Sequence, residues 1–165
     1  MAPVFVGRSK HAKFYVEVDE QNVQYCGEWQ QCWTDVHLWE VLRSGEWRER
    51  RPWAHRGKGD RWDLLCNVGG WPRDTMFIRV VGWAFFARRK MSFEEFQRKL
   101  PVKNSCAEFA HQVNHLGGPE NCCLDHLEFG TVAENRQSYE LDAGTRHRTV
   151  WKRPAAARKR PASAL

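Results

Sequence analysis

The sequence predicts a small mixed α+β domain built on a strand–strand–helix (ββα) unit and followed by a disordered basic tail. Alternating apolar and polar residues in several short segments indicate strands. Two Ser/Thr-x-x-Glu patterns indicate helix starts. After about residue 147 the composition changes to Ala, Pro, Arg and Lys, which cannot supply a core. The 165 residues fit one domain, and 42% hydrophobic residues are enough to fold most of it.

Three segments predict strands in the first half of the chain. Residues 14–29 alternate well enough for one or two strands. Residues 61–71 and 75–86 are rich in β-branched, aromatic and aliphatic side chains, and the Gly-Gly-Trp-Pro turn signal separates them. We therefore expect one strand in each of these two segments.

A short helix is predicted over residues 34–45. Thr34 or Asp35 would cap it, Val36, Trp39 and Leu42 would share one face, and Gly45 would end it.

A second helix is predicted over residues 91–101. Ser92 and Glu95 form a capping box, and Pro101 ends the segment. Its buried face would consist of Phe93, Phe96 and Leu100.

The charge distribution divides the chain. All of the basic excess lies in residues 145–165, which hold seven basic residues and no acid, while the first 144 residues hold 19 basic and 20 acidic groups. The domain organisation predicted is a β-rich or mixed region (1–75) packed on a core region (76–144), then the tail (145–165). A high pI carried by a tail is no argument for a nucleic-acid-binding fold.

One stretch of the body is locally basic. Residues 43–61 hold seven basic residues against three acids, interleaved with tryptophans. Two interpretations stay open: a surface that tracks phosphates, or a solvated hairpin whose charges only face water. Trp47, Trp53 and Trp62 are predicted to be packing residues rather than platforms for bases.

No apolar run approaches the roughly 18 residues of a membrane span, and the N-terminus lacks a signal architecture, so we expect neither membrane insertion nor secretion. The six cysteines are then interpreted as thiols or metal ligands before disulfides. Cys26, Cys32 and Cys66 are predicted core thiols.

Residues 111–140 gather three histidines, two adjacent cysteines and three asparagines. The pattern predicts a strand ending at His115, a loop forced by Gly117, Gly118 and Pro119, and a second strand over residues 126–129. Thr131 and Glu134 form another capping box. This places Asn135 in the first turn of a helix.

That arrangement suits phosphodiester hydrolysis. A neutral imidazole with a pKa near 6.5 can accept a proton from an attacking water. An amide oxygen can help hold a hard divalent cation such as Mg²⁺, which stabilises charge on the leaving oxygen. We therefore expect His115 and Asn135 to lie on two sides of one cleft.

This segment resembles the HNH, or His-Me finger, endonucleases, and in particular their homing-type branch. Residues 113–115 (VNH) resemble the family's strand-end motif, residues 126–131 (HLEFGT) its second strand, and residues 133–135 (AEN) the start of its helix. The resemblance covers roughly residues 77–138. It implies a ββα-metal core acting on DNA, with His115 as general base and Asn135 as a ligand of Mg²⁺ or another divalent cation.

The same resemblance assigns further positions. Asn114 lies where an acidic metal ligand is common, and His126 occupies a structural position in the loop. The upstream His of the family is Ile78 here. Relatives with a His-Cys box bind structural Zn²⁺ near this loop, a site that Cys122, Cys123 and His126 resemble, with Cys106 or His111 to complete it. Adjacent cysteines are equally ordinary as buried thiols.

Two other functions stay open besides a metal-dependent endonuclease. One is a nuclease-derived DNA-binding module with a decayed site, which Ile78 and Asn114 favour. The other is a zinc-stabilised interaction domain. The three differ in whether His115 and Asn135 share an open cleft.

The tail carries two basic clusters around a Pro-Ala spacer and resembles a bipartite nuclear localisation signal. Its basic residues are Lys152, Arg153, Arg158, Lys159 and Arg160. An extended, flexible basic segment suits the acidic groove of a nuclear import receptor. We therefore expect a nuclear location, or otherwise a cytoplasmic one. A basic arm that grips DNA phosphates is the alternative.

Overall fold

A computed structural model describes residues 2–26, 31–57, 62–92, 94–96, 111–115, 120–131 and 149–150. These residues form a mixed α+β domain made mostly of antiparallel strands with few helices, which agrees with the predicted class. The strands are β1 (Val4–Arg8), β2 (Ala12–Val18), β3 (Gln24–Cys26), β4 (Cys32–Thr34), β5 (Val36–Leu42), β6 (Trp47–Arg50), β7 (Trp53–Arg56), β8 (Trp62–Cys66), β9 (Thr75–Met76), β10 (His111–His115), β11 (Leu127–Thr131) and β12 (Thr149–Val150).

The described strands form four groups. The largest sheet has the order β1-β2-β5-β6, and three-stranded sheets have the orders β7-β8-β9 and β10-β11-β12. A two-stranded ribbon joins β3 to β4. The strands predicted within residues 14–29 and 61–71 are thereby confirmed as β2, β3 and β8.

The four-stranded sheet buries one face. Phe14, Val16 and Val18 alternate with more exposed residues along β2, and their side chains are 7%, 0% and 5% exposed. Val36 and Leu38 continue this buried face on β5. The period of two is the reason that these segments form strands with one face toward the core.

The helix predicted over residues 34–45 is wrong, because residues 36–42 form β5. β-branched and aromatic residues favour strands, and the buried pair Val36 and Leu38 has strand spacing. Of the three apolar residues that fitted one helical face, Val36 and Leu42 lie on the core face of the strand, and Trp39 lies on the opposite face. Gly45 still ends the element: with a φ of 89° it closes the turn between β5 and β6, where its N–H bonds to the carbonyl of Leu42 at 2.8 Å.

The strand predicted over residues 75–86 is also wrong beyond Met76. Residues Phe77–Gly82 form helix α1, and Trp83–Ala87 form a π-helical segment. The buried residues Phe77, Val80, Val81 and Ala84 have the i, i+3, i+4, i+7 spacing of a helix that faces a core. That spacing outweighs the strand preference of the valines and aromatics.

The helix predicted after residue 91 is described only in part. The backbone N–H of Glu95 donates to Ser92 Oγ at 3.1 Å, which is the capping bond that the pattern predicted. Phe96 is fully buried, as predicted. Phe93, Leu100 and Pro101 lie outside the described residues.

One apolar cluster joins the N-terminal strands to the later elements. Val16, Leu38, Phe77 and Leu127 all belong to it and are at most 2% exposed. Helix α1 packs against β10 and β11. The hairpin that carries the candidate site is therefore part of the same core as the large sheet. Within the described ranges, every helix lacks the length and apolar character needed to cross a bilayer.

The turn after β8 lies directly on β1. Trp71 Nε1 donates to the carbonyl of Val6 at 2.7 Å. A Cβ added at Gly69 would lie well inside contact distance of the backbone of Arg8 and Ser9, so only glycine allows this approach.

We expect Gly69→Ala to lower the free energy of unfolding more than Gly45→Ala, measured by chemical denaturation. Gly45 has a φ of +89° and open space around it, so its substitution costs only backbone strain of about 1–2 kcal/mol. At Gly69 the new methyl group meets backbone atoms that cannot rotate away. An equal or smaller loss for Gly69→Ala would contradict this packing.

Candidate active site

The candidate site is built on the hairpin of β10 and β11. The two strands are antiparallel, with His115 opposite Leu127 and Asn114 opposite Glu128. The strand predicted to end at His115 is confirmed. The second strand is confirmed too, although it begins at Leu127 because His126 belongs to a 3₁₀ turn.

The chain between the strands returns through the 3₁₀ turn Leu124–His126. The N–H of His126 bonds to the carbonyl of Cys123 at 2.9 Å, and His126 Nδ1 lies 2.9 Å from Asp125 Oδ1. The imidazole is 45% exposed. His126 therefore has a local partner beside the hairpin, which suits the structural position that the resemblance assigned to it.

A short stretch of the N-terminal region holds this connection in place. The N–H of Trp33 donates to the carbonyl of Glu120 at 3.0 Å, and the N–H of Cys122 donates to the carbonyl of Trp33 at 2.8 Å. Trp33 and Asn121 form a parallel bridge. The loop before β11 thus continues the hydrogen bonding of strand β4.

Two fully buried polar side chains complete this anchor. Thr34 Oγ1 donates to the carbonyl of Cys122 at 2.9 Å and accepts the N–H of Val36 at 3.1 Å. Asp35 Oδ1 accepts the N–H of Leu124 at 2.9 Å. We call these contacts of residues 33–35 with residues 120–124 the loop anchor.

The loop anchor was not predicted from the sequence, because Thr34 and Asp35 were interpreted as candidate helix caps. A Thr-Asp pair next to apolar residues signals that some backbone N–H groups will be bonded. The pair does not reveal that its distant backbone partners are the carbonyl of Cys122 and the N–H of Leu124, almost ninety positions later in the chain.

The cysteines of this region are buried thiols. Cys26 and Cys32 are direct partners across β3 and β4, and Cys122 is joined to β4 by the bond from its N–H to the carbonyl of Trp33. Burial raises the pKa of the Cys26 thiol to about 11 and that of Cys32 to about 12, and it raises the pKa of Cys122 well above its usual value. Cys26 and Cys32 are therefore core thiols, as predicted.

The predicted zinc set is not assembled by the described residues. Among them, no three His, Cys, Asp or Glu side chains converge to hold a metal ion. Cys122 and Cys123 are 1% and 5% exposed, while the His126 imidazole is paired with Asp125. Cys106 lies outside the described residues, so the structural zinc stays a prediction.

Of the remaining predicted site residues, Ile78 lies in helix α1, and the others lie outside the described residues. Ile78, at the position of the family's upstream histidine, is 5% exposed within α1, the helix that packs on the hairpin. Asn135 and the tail residues 152–160 lie outside the described residues. The shared cleft of His115 and Asn135 therefore stays a prediction.

A separate ion network that the sequence did not indicate lies on the large sheet. His37 Nε2 is 3.0 Å from Asp19 Oδ2, and His37 Nδ1 is 2.7 Å from Glu49 Oε1. Burial lowers the pKa of His37, but the bonds to Asp19 and Glu49 outweigh this effect and raise the pKa above its usual value. Strands β5 and β6 and the turn after β2 are thereby tied together.

We expect Asp35→Ala to lower the free energy of unfolding by about 1–3 kcal/mol, because it leaves the buried N–H of Leu124 without its acceptor. Asp35→Asn is the matched control, since its amide oxygen can still accept this bond. Amide exchange at Leu124 should accelerate in the first variant and much less in the second. Unchanged exchange in both variants would contradict the loop anchor.

Comparison of the chain with protein-family models, with curated proteins and with solved structures gave no match. The likeness to the HNH endonucleases therefore remains a likeness of motifs, carried by residues 113–115, 126–131 and 133–135.

Proposed function

We propose that this protein is a metal-dependent DNA endonuclease of the HNH type, built on a ββα-metal core. The observation that supports the proposal most is the antiparallel pairing of β10 and β11, with His115 at the last position of its strand. This is the place where the motif requires a general base. Helix α1 packs on the hairpin, and the loop anchor holds the chain that leads into β11.

His115 acts as the general base in this proposal. Its imidazole takes the proton of the water that attacks phosphorus, a role to which histidine is suited because it exchanges protons readily near neutral pH. The pairing with β11 fixes the backbone at His115, and a fixed geometry of the reacting atoms favours attack.

Asn135 and Asn114 are the proposed donors to a divalent cation. Amide oxygens suit a hard cation such as Mg²⁺, which takes oxygen ligands and retains several waters, so the donor set fits this ion. When bound, the cation would neutralise negative charge on the phosphate and on the leaving oxygen. For Asn135 to share a cleft with His115, the chain after Thr131 has to turn back across the hairpin, because Thr131 lies opposite His111.

One observation favours the second candidate, a DNA-binding module with a decayed site. Ile78 is buried and apolar where the related enzymes carry a histidine. Cleavage separates the candidates, since both would bind DNA and only the nuclease would cut it.

We expect His115→Ala to reduce Mg²⁺-dependent nicking of supercoiled plasmid by about 10²–10⁴-fold, because the proton of the attacking water loses its acceptor. His55→Ala is the matched control, since His55 is exposed on β7 in a different sheet. Asn135→Ala should also reduce nicking, with partial recovery at raised Mg²⁺. Circular dichroism checks the fold of each variant. Wild-type activity in His115→Ala would refute the assignment of the base, and absence of nicking by the wild type would favour the decayed module.

The tail is proposed to direct the protein to the nucleus. With the full chain fused to a reporter too large to diffuse through nuclear pores, we expect nuclear accumulation. Replacing the five tail residues Lys152, Arg153, Arg158, Lys159 and Arg160 with Ala should disperse it, because the receptor groove recognises clustered cations on an extended segment. A matched variant replaces five arginines of the body: Arg43, Arg48, Arg50, Arg51 and Arg56. Equal dispersal in both variants, or none in the first, would contradict a signal in the tail.

A further inference from the structure

The outer face of the four-stranded sheet carries a continuous row of aromatic rings. Phe5 contacts Tyr15 with ring centroids 5.7 Å apart, and Tyr15 contacts Trp47 at 5.1 Å. Trp47 contacts Trp39 at 6.2 Å, and Trp39 stacks on His37 at 5.7 Å. These five residues come from all four strands, and we call them the aromatic stripe.

The aromatic stripe is open to solvent at two of its members. Phe5 is 44% exposed and Trp47 is 47% exposed. Trp47 was predicted to be a packing residue, and its ring does pack between Tyr15 and Trp39. Nearly half of its surface is nevertheless exposed to water. Large exposed aromatic rings on a sheet face are unusual unless they meet a partner.

A basic groove borders the aromatic stripe at one end of the sheet. It has a volume of about 440 Å³, and its charged lining residues are Arg8, Lys10, Lys13 and Arg43, with no acid among the described residues that line it. Within the described part of the chain, none of these four makes an ion pair. Lys13 lies two positions before Tyr15 on β2, so the groove and the stripe are continuous.

A second basic groove begins at the other end of the aromatic stripe. Phe5 lines this groove of about 530 Å³ together with Arg88, Arg89 and Lys90, and again no described lining residue is acidic. The three basic residues follow the π-helical segment directly. Positive charge thus lies beside the exposed rings on two sides, while the His37 end of the stripe is paired with the carboxylates of Asp19 and Glu49.

We propose that this face binds a single-stranded polynucleotide, with bases stacked on the aromatic stripe and phosphates in the two basic grooves. Rings on a sheet face can stack on exposed bases of any sequence, and neighbouring cations neutralise the backbone. A duplex hides the faces of its bases inside the stack and would use only the cations. An acidic peptide would likewise leave the rings without a partner.

This binding surface goes beyond the proposed nuclease activity and does not depend on it. The rings lie on the sheet β1-β2-β5-β6, and the first groove lies at the end of that sheet. The second groove lies between the start of β1 and the π-helical segment with the residues after it, whereas the proposed catalytic residue His115 lies on β10. Binding can therefore be measured in EDTA, where metal-dependent cleavage cannot occur. Loss of cleavage in His115→Ala tests the nuclease, and loss of binding in a stripe variant tests this surface.

The stacking is tested by anisotropy of a fluorescein-labelled oligothymidylate of about 20 nucleotides, titrated with the full chain in EDTA. We expect Trp47→Ala to weaken binding by about fivefold or more, the lower end of the loss of one stacking partner. Trp53→Ala is the matched control, because Trp53 is also exposed, at 36%, and lies in another sheet. Trp47→Leu retains apolar packing without an aromatic ring and should bind as weakly as Trp47→Ala.

The grooves are tested by the salt dependence of the same binding. The slope of log K against log salt is negative, and each charge that contacts a single strand contributes about −0.7 to it. The double variant Lys10→Gln with Arg43→Gln should therefore make the slope about 1.4 less negative. The matched control is Arg48→Gln with Arg50→Gln. Arg48 lies opposite Glu40 and Arg50 lies opposite Leu38 on β5, so both arginines are on the face of the sheet that does not carry the aromatic stripe. The basic C-terminal segment is the same in all variants, so its contribution to binding cancels when each variant is compared with the wild type.

Three results would overturn the proposal. Binding of the oligothymidylate that is equal in wild type, Trp47→Ala and Trp47→Leu would show that the rings do not stack on bases. Tighter binding of a duplex of the same length would assign the surface to double-stranded DNA. Displacement of the oligothymidylate by polyglutamate at equal charge, as effectively as by unlabelled oligothymidylate, would assign it to acidic peptides.

Discussion

The loop anchor is the contact on which the arrangement of this domain depends. Residues 33–35 are the last two residues of β4 and the single residue that links it to β5, and through backbone bonds and two buried side chains they fix residues 120–124. On one side the anchor leads into β5, a central strand of the large sheet. On the other it leads into β11 and so to the hairpin. Hydrogen bonds in the absence of water have a strong directional preference, so the anchor fixes orientation as well as distance.

The alternation of apolar residues was sufficient to predict several strands, and it failed where a segment fits two periods. Along β2 the alternation runs over seven residues and has no helical equivalent. Residues 36–42 fit both a strand and a helix, and pairing with β2 and β6 decides for the strand. Residues 77–87 have the composition of a strand but the spacing of a helix, and burial of one helical face decides there.

The candidate site was predictable to the extent that it is local. A strand that ends at His115 and a second strand near Leu127 follow from residues within twenty positions. The supports of the hairpin are distant in sequence: Thr34 and Asp35 reach partners 88 and 89 positions away. The aromatic stripe was missed for the same reason, because its rings come from four strands and only their register brings them together.

The buried thiols have a consequence for the chemistry of the folded chain. The thiolate is the form that reacts with alkylating reagents and oxidants, and raised pKa values for Cys26, Cys32 and Cys66 leave very little thiolate at neutral pH. Their side chains are also at most 1% exposed. Alkylation at these positions must wait for the core to open, so its rate is a direct measure of how often this protein opens. These three cysteines are therefore intrinsic labels of conformational opening, and no dye or engineered residue has to be introduced at their positions.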